Sequence, residues 1–110
     1  MNEQLQKEIS KLQFLEQNYN QLMLRKQNLN IKLNEISNAK NQLGTSDESY
    51  TVIGNIMIKK SKEELISELE NKEKTFSSQV ETISKQEKDL FEKKGQMQKE
   101  LFERIKEENK

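Results

Sequence analysis

Two stretches of heptad-spaced apolar residues, 5–43 and 62–104, flank one ten-residue run of strand-forming residues, Tyr50-Thr51-Val52-Ile53-Gly54-Asn55-Ile56-Met57-Ile58-Lys59. From Leu5, steps of three and four pass Glu8, Leu12, Leu15, Tyr19, Leu22, Lys26, Leu29, Leu33, Ile36, Lys40 and Leu43. Nine of these twelve are apolar, enough to define a coiled-coil seam. Gly44 then stands where a left-handed helix cap belongs, and Thr45-Ser46-Asp47 is turn chemistry, so the first helix is expected to stop near Leu43. Downstream, Ser61 and Glu64 have the spacing of a capping box, which predicts a second helix from Lys62. Its seam runs through Lys62, Ile66, Leu69, Glu73, Phe76, Val80, Ile83, Glu87, Leu90, Lys94, Met97, Leu101 and Arg104.

If the middle segment reverses the chain, the two helices run antiparallel, with Leu43 level with Ile66 and Leu5 level with Arg104. The two seams then match in length and leave neither helix an apolar overhang. In this register Lys26 falls opposite Ile83 and Glu87 opposite Leu22, polar residues of the kind that snorkel or fix register. The expected fold is mainly α: a long antiparallel two-helix coiled coil with a central β-hairpin, as one domain over 1–110. Its parts are helix 1 at 1–44, loop and hairpin at 45–60, and helix 2 at 61–110.

Composition excludes several functions. With 31% apolar and 5% aromatic residues, the 110-residue chain cannot fill a thick globular core. Nineteen basic and nineteen acidic side chains cancel, leaving no net field to attract nucleic acid or an anionic membrane. Lys59-Lys60-Ser61-Lys62 is the tightest basic cluster and reads as a solvated helix entrance. Cysteine and histidine are absent, which removes disulfides, thiolate metal sites and the usual zinc ligand and general base. Glu73 and Glu87 have no second titratable group implied nearby to make them catalytic. No glycine-rich phosphate loop or nucleophile motif is present. Neither an enzyme nor a cofactor is expected. The longest apolar run is three residues, Ile56-Met57-Ile58, and the first residues lack a signal-like pattern, so a cytoplasmic, soluble protein is expected.

The hairpin is the unsatisfied part. Gly54-Asn55 supplies the positive backbone angle of a two-residue turn, which sets Ile53 opposite Ile56, Val52 opposite Met57 and Thr51 opposite Ile58. One face then carries Ile53, Ile56 and Ile58, and the other carries Tyr50, Val52 and Met57. An isolated two-stranded ribbon is marginal in water, and its open edges invite pairing with other strands. These six residues are the expected oligomerisation surface, pairing with the hairpins of other subunits. The competing expectation is a hairpin folded down over its own helices, with Leu43 and Leu65 as a small local core.

At these residues the chain resembles the β-type subunits of prefoldin. The likeness is carried by residues 50–59, by Ser61-Lys62-Glu63-Glu64-Leu65 and by Ile83-Ser84-Lys85-Gln86-Glu87-Lys88-Asp89-Leu90. The resemblance implies an ATP-independent chaperone subunit in a hexamer of two α-type and four β-type subunits. It implies partners too: an α-type subunit, other β-type subunits, unfolded client proteins and a group II chaperonin. Clients are held at the coiled-coil tips in that family. Apolar residues off the seam, Ile9, Phe14, Phe91, Phe102 and Ile105, cluster toward the termini and are the expected client-binding residues, with Met23, Leu24 and Ile31 as a smaller group. The rival from another class is a structural coiled-coil tether or adaptor, whose helices would pair in parallel between chains.

Overall fold

A computed structural model describes residues 3–108. Helix α1 runs from Glu3 to Thr45, strands β1 and β2 cover Tyr50–Ile53 and Ile56–Lys59, and helix α2 runs from Lys62 to Glu108. The described residues contain no helix long and apolar enough to cross a membrane. They fall into two compact units, one joining the chain up to Lys26 with the chain from Thr82 onward, the other made of Gln27–Glu81.

The helices form where the heptads predict, and for the predicted reason. Every expected seam residue is buried or partly buried except Arg104. In the first unit the most shielded are Leu5 and Ile83; in the second they are Ile36 and Leu65. So few buried residues, each contributing about 1.5–3 kcal/mol when fully covered, make a seam rather than a globular core. The helices of each unit run antiparallel close to the expected register. In the first unit Arg104 pairs with Glu8, one turn from the expected Leu5. In the second, Lys40 Nζ lies 3.8 Å from Glu70 Oε1 and 3.7 Å from Glu73 Oε2.

Two local expectations are corrected. Gly44 does not adopt the left-handed cap, since Gly54 alone among the described residues has a positive φ, and α1 continues through Thr45. The Thr45 hydroxyl donates to the Gln42 carbonyl at 3.2 Å and the Ser46 N–H to the Leu43 carbonyl at 3.4 Å, so these two carbonyls of the last turn are satisfied without one. Lys26 does not insert against an apolar layer. Its ammonium donates to Glu87 Oε2 at 3.0 Å, so the two polar seam residues answer each other.

The hairpin has the predicted register, Ile53 with Ile56, Val52 with Met57 and Thr51 with Ile58, closed at its base by Tyr50 with Lys59. Its turn has φ +62° at Gly54 and a negative φ at Asn55, the sign pattern of a type II′ turn. One further rung lies below the strands. The Lys60 N–H donates to the Ser49 carbonyl at 3.0 Å, and the buried Ser49 hydroxyl donates to the Lys60 carbonyl at 2.5 Å. Entry into α2 follows at once, where the Ser61 hydroxyl accepts from the Glu64 N–H at 3.2 Å. That bond is the half of the capping box that satisfies an early amide.

Candidate assembly hairpin and apolar flank

The hairpin stands away from its own helices. Val52, Ile53, Ile56 and Met57 are 63–67% exposed, and Tyr50 and Ile58 nearly half exposed. Leu65 is buried, but it does not draw the ribbon down with it. Both faces therefore remain apolar and uncovered, and among the described residues no further strand lies beside the outward N–H and C=O groups of the two-stranded sheet. Exposed apolar side chains grouped in this way make the hairpin a candidate interaction surface.

The base of the ribbon is braced by charge. The Tyr50 hydroxyl donates to Glu48 Oε2 at 2.7 Å, and Glu48 Oε1 lies 3.7 Å from Lys59 Nζ. This hydrogen bond, with a smaller contribution from burial, holds the Tyr50 phenol above its ordinary pKa. On the other side Lys60 donates to Glu68, and that bond is the main cause of an ammonium pKa raised above the usual lysine range. Burial of Lys60 opposes the shift, while the charges of Glu68 and Glu64 add to it. The brace ties β1 and β2 to the start of α2 without covering the apolar tip.

The second candidate surface lies in the unit that holds both ends of the chain. With Leu5 and Ile66 as heptad position a, Ile9, Met23, Phe91 and Ile105 all occupy position e. Reversing one helix brings e beside e and g beside g, so these four line one flank of the pair. Surface grooves bear out the geometry: one is lined by Tyr19, Ser84, Glu87 and Phe91, the opposite one by Asn18, Gln21, Arg25, Gln86 and Asp89. The Phe91 ring packs 6.2 Å from that of Tyr19, centroid to centroid, tilted by 43°. Phe102, three residues before Ile105, extends the same flank outward. Phe91 and Phe102 are 61% and 67% exposed, whereas Ile9 and Ile105 are partly covered at the edge of the seam.

Phe14 is separate. It is as exposed as the other two phenylalanines, but at heptad position c it lies on the polar flank, one heptad before Gln21. The structure thus groups four of the five expected client residues and sets the fifth on the other side. Met23 belongs with the four, and its e position is the signal that assigns it there. Gly95 sits four residues after Phe91 and seven before Phe102 on the same helix, and a Cβ placed there would meet nothing within 4 Å. No group of three or more acidic side chains able to hold a metal occurs among the described residues.

Comparison with known proteins agrees with this architecture. A family model described as prefoldin subunit matches residues 6–108. The chain is 32% identical over 110 residues to prefoldin subunit beta of Thermoplasma volcanium, spanning 96% of this chain and 89% of that one. To prefoldin subunit beta of Methanosarcina barkeri it is 33% identical over 101 residues, 89% and 86% of the two chains. The crystal structure of the prefoldin beta subunit from Thermococcus strain KS-1 superposes with a TM-score of 0.83, covering 91% of this chain and 90% of that one at 22% identity. The chain belongs to the prefoldin subunit family, whose members are chaperones. Its single hairpin and its relatives place it in the β-type class.

Proposed function

We propose that this chain is one of several subunits that join through their hairpins into a hexamer and hold unfolded proteins without ATP. The observation that carries the reading is the hairpin, formed, braced at its base and apolar on both exposed faces. Edge pairing with the hairpins of an α-type subunit and of other β-type subunits would cover both faces and both edges together. Clients bind on the flank of Ile9, Phe91, Phe102 and Ile105, with Phe14 as a separate contact on the other side. Shallow apolar contact with a flexible chain gives low affinity per subunit, and several subunits acting together raise it through effective concentration. Release to a group II chaperonin in the cytoplasm completes the reading.

The tether alternative has less support. Lys26–Glu87 and Lys94–Glu16 pair α1 with α2 of one chain, whereas a parallel tether needs α1 to pair with the α1 of another.

The test is suppression of aggregation of a chemically unfolded client by the assembled complex in the absence of nucleotide. Wild-type complex should suppress it. Phe91→Ser with Phe102→Ser should reduce suppression several-fold while assembly is retained, and Phe14→Ser alone should have a smaller effect. Full suppression by the Phe91/Phe102 variant would move the client site elsewhere.

A further inference from the structure

A two-helix seam gains most from apolar side chains in every layer, yet several layers here are filled by charge. In the unit containing both chain ends, Lys26 meets Glu87 at 3.0 Å with 27% and 21% of the two side chains exposed. One heptad further, Lys94 Nζ lies 5.6 Å from the centre of the Tyr19 ring and 3.8 Å from Glu16 Oε1. In the other unit Lys40 meets Glu73 at 3.7 Å. Replacing a shielded ion pair by apolar residues of similar volume is often neutral or stabilising, so stability alone does not account for these layers.

Their arrangement does. All of these pairs join α1 to α2, and each is matched in only one register. Within the first unit, sliding the helices by one heptad in one sense sets Lys26 against Lys94. Sliding them the other way sets Glu87 against Tyr19 and Lys94 against Leu12. Within the second unit, either slip sets Lys40 against an apolar residue, Val80 or Ile66. Parallel pairing with another copy is worse. Two α1 helices side by side would stack Glu8 on Glu8, Lys26 on Lys26 and Lys40 on Lys40. Two α2 helices would do the same with Glu73, Glu87 and Lys94. Like charges facing each other in a partly desolvated seam repel strongly, and a partner is rejected by such clashes as much as it is selected by attraction.

We propose that Lys26, Glu87, Lys40 and Glu73 are partner-selecting residues, which commit α1 to antiparallel pairing with α2 and deny both helices to parallel pairing with other copies. The inference rests on pairing within the chain and stands apart from the chaperone reading.

The chain has no cysteine, so Leu29→Cys places a single thiol at a seam position that parallel pairing would bring against its own copy. Disulfide-linked dimer is then measured on the full chain equilibrated with oxidised glutathione. With the native seam its yield should be low. Adding Lys26→Leu, Glu87→Leu, Lys40→Leu and Glu73→Leu should raise the yield roughly tenfold or more, as expected when ion pairs give way to apolar layers. Adding Lys26→Glu with Glu87→Lys instead should leave the yield at the native level, because the pair is restored in reverse. Should the all-leucine seam fail to fold, thermal melts decide: Glu87→Lys alone should melt well below the native chain, and the added Lys26→Glu should recover most of the loss. Equal dimer yields from the native and all-leucine seams would overturn the proposal. So would a charge-swapped pair that melts no higher than Glu87→Lys alone.

Discussion

At the scale of single residues, two glycines show why the same substitution has opposite consequences at different backbone positions. Gly54 holds φ at +62° in the hairpin turn, where a Cβ is strained however much space surrounds it. Gly95 lies inside α2, where a Cβ would meet nothing and the cost of glycine is backbone freedom in the unfolded chain. Gly54→Ala should therefore weaken the hairpin by about 1–2 kcal/mol. Gly95→Ala should stabilise the chain by about 1 kcal/mol. Hydrogen exchange of the strand amides reads the first change and the urea midpoint the second. Shifts of equal sign would refute the assignment of the two backbone states. The Ser61 cap obeys similar logic, since losing its hydroxyl removes the partner of the Glu64 N–H and should cost about 1 kcal/mol by the same urea measurement.

Among the elements, the hairpin base carries a predicted pH dependence. Tyr50 and Lys60 both have folded pKa values raised above their unfolded ones, chiefly by hydrogen bonds to Glu48 and Glu68. A raised value means the protonated form is favoured by folding, so the stabilisation is complete below the unfolded values, about 10 to 10.5, and is lost as pH rises through the folded ones. Strand amide protection should be level through neutral pH and decline above about pH 10. Glu48→Gln and Glu68→Gln should flatten that decline, and a decline identical in both variants would place its origin elsewhere. The elements themselves were largely legible in the sequence, because heptad spacing and the Gly54-Asn55 turn are local signals that fix helix type, strand register and the start of α2. The end of α1 was not, since Gly44 permits a left-handed cap without requiring one and the Thr45 hydroxyl satisfies the Gln42 carbonyl instead. The facing of Lys26 and Glu87 is not legible either, because matching apolar positions alone sets the pairing about one turn away from the one in which these two charges meet. Closeness to the chain ends places Phe14 with Phe91 and Phe102, whereas heptad position decides which flank a side chain occupies.

For the molecule as a whole, the two candidate surfaces lie in different units. One unit offers a ribbon whose faces and edges are open to other strands; the other carries an apolar flank near the chain ends. Within each unit the seam between the helices is thin and carries matched charges, so it has little apolar area of its own to offer other chains. The proposed function depends on assembly through the ribbon. It is tested most directly by native mass spectrometry of the chain coexpressed with an α-type partner, beside a variant carrying Ile53→Lys and Ile56→Lys. The wild type should give a hexamer with four copies of this chain, and the variant a monomer with its helices intact by circular dichroism. A wild-type chain that stays monomeric beside its partner, or a variant that assembles as well as the wild type, would contradict it.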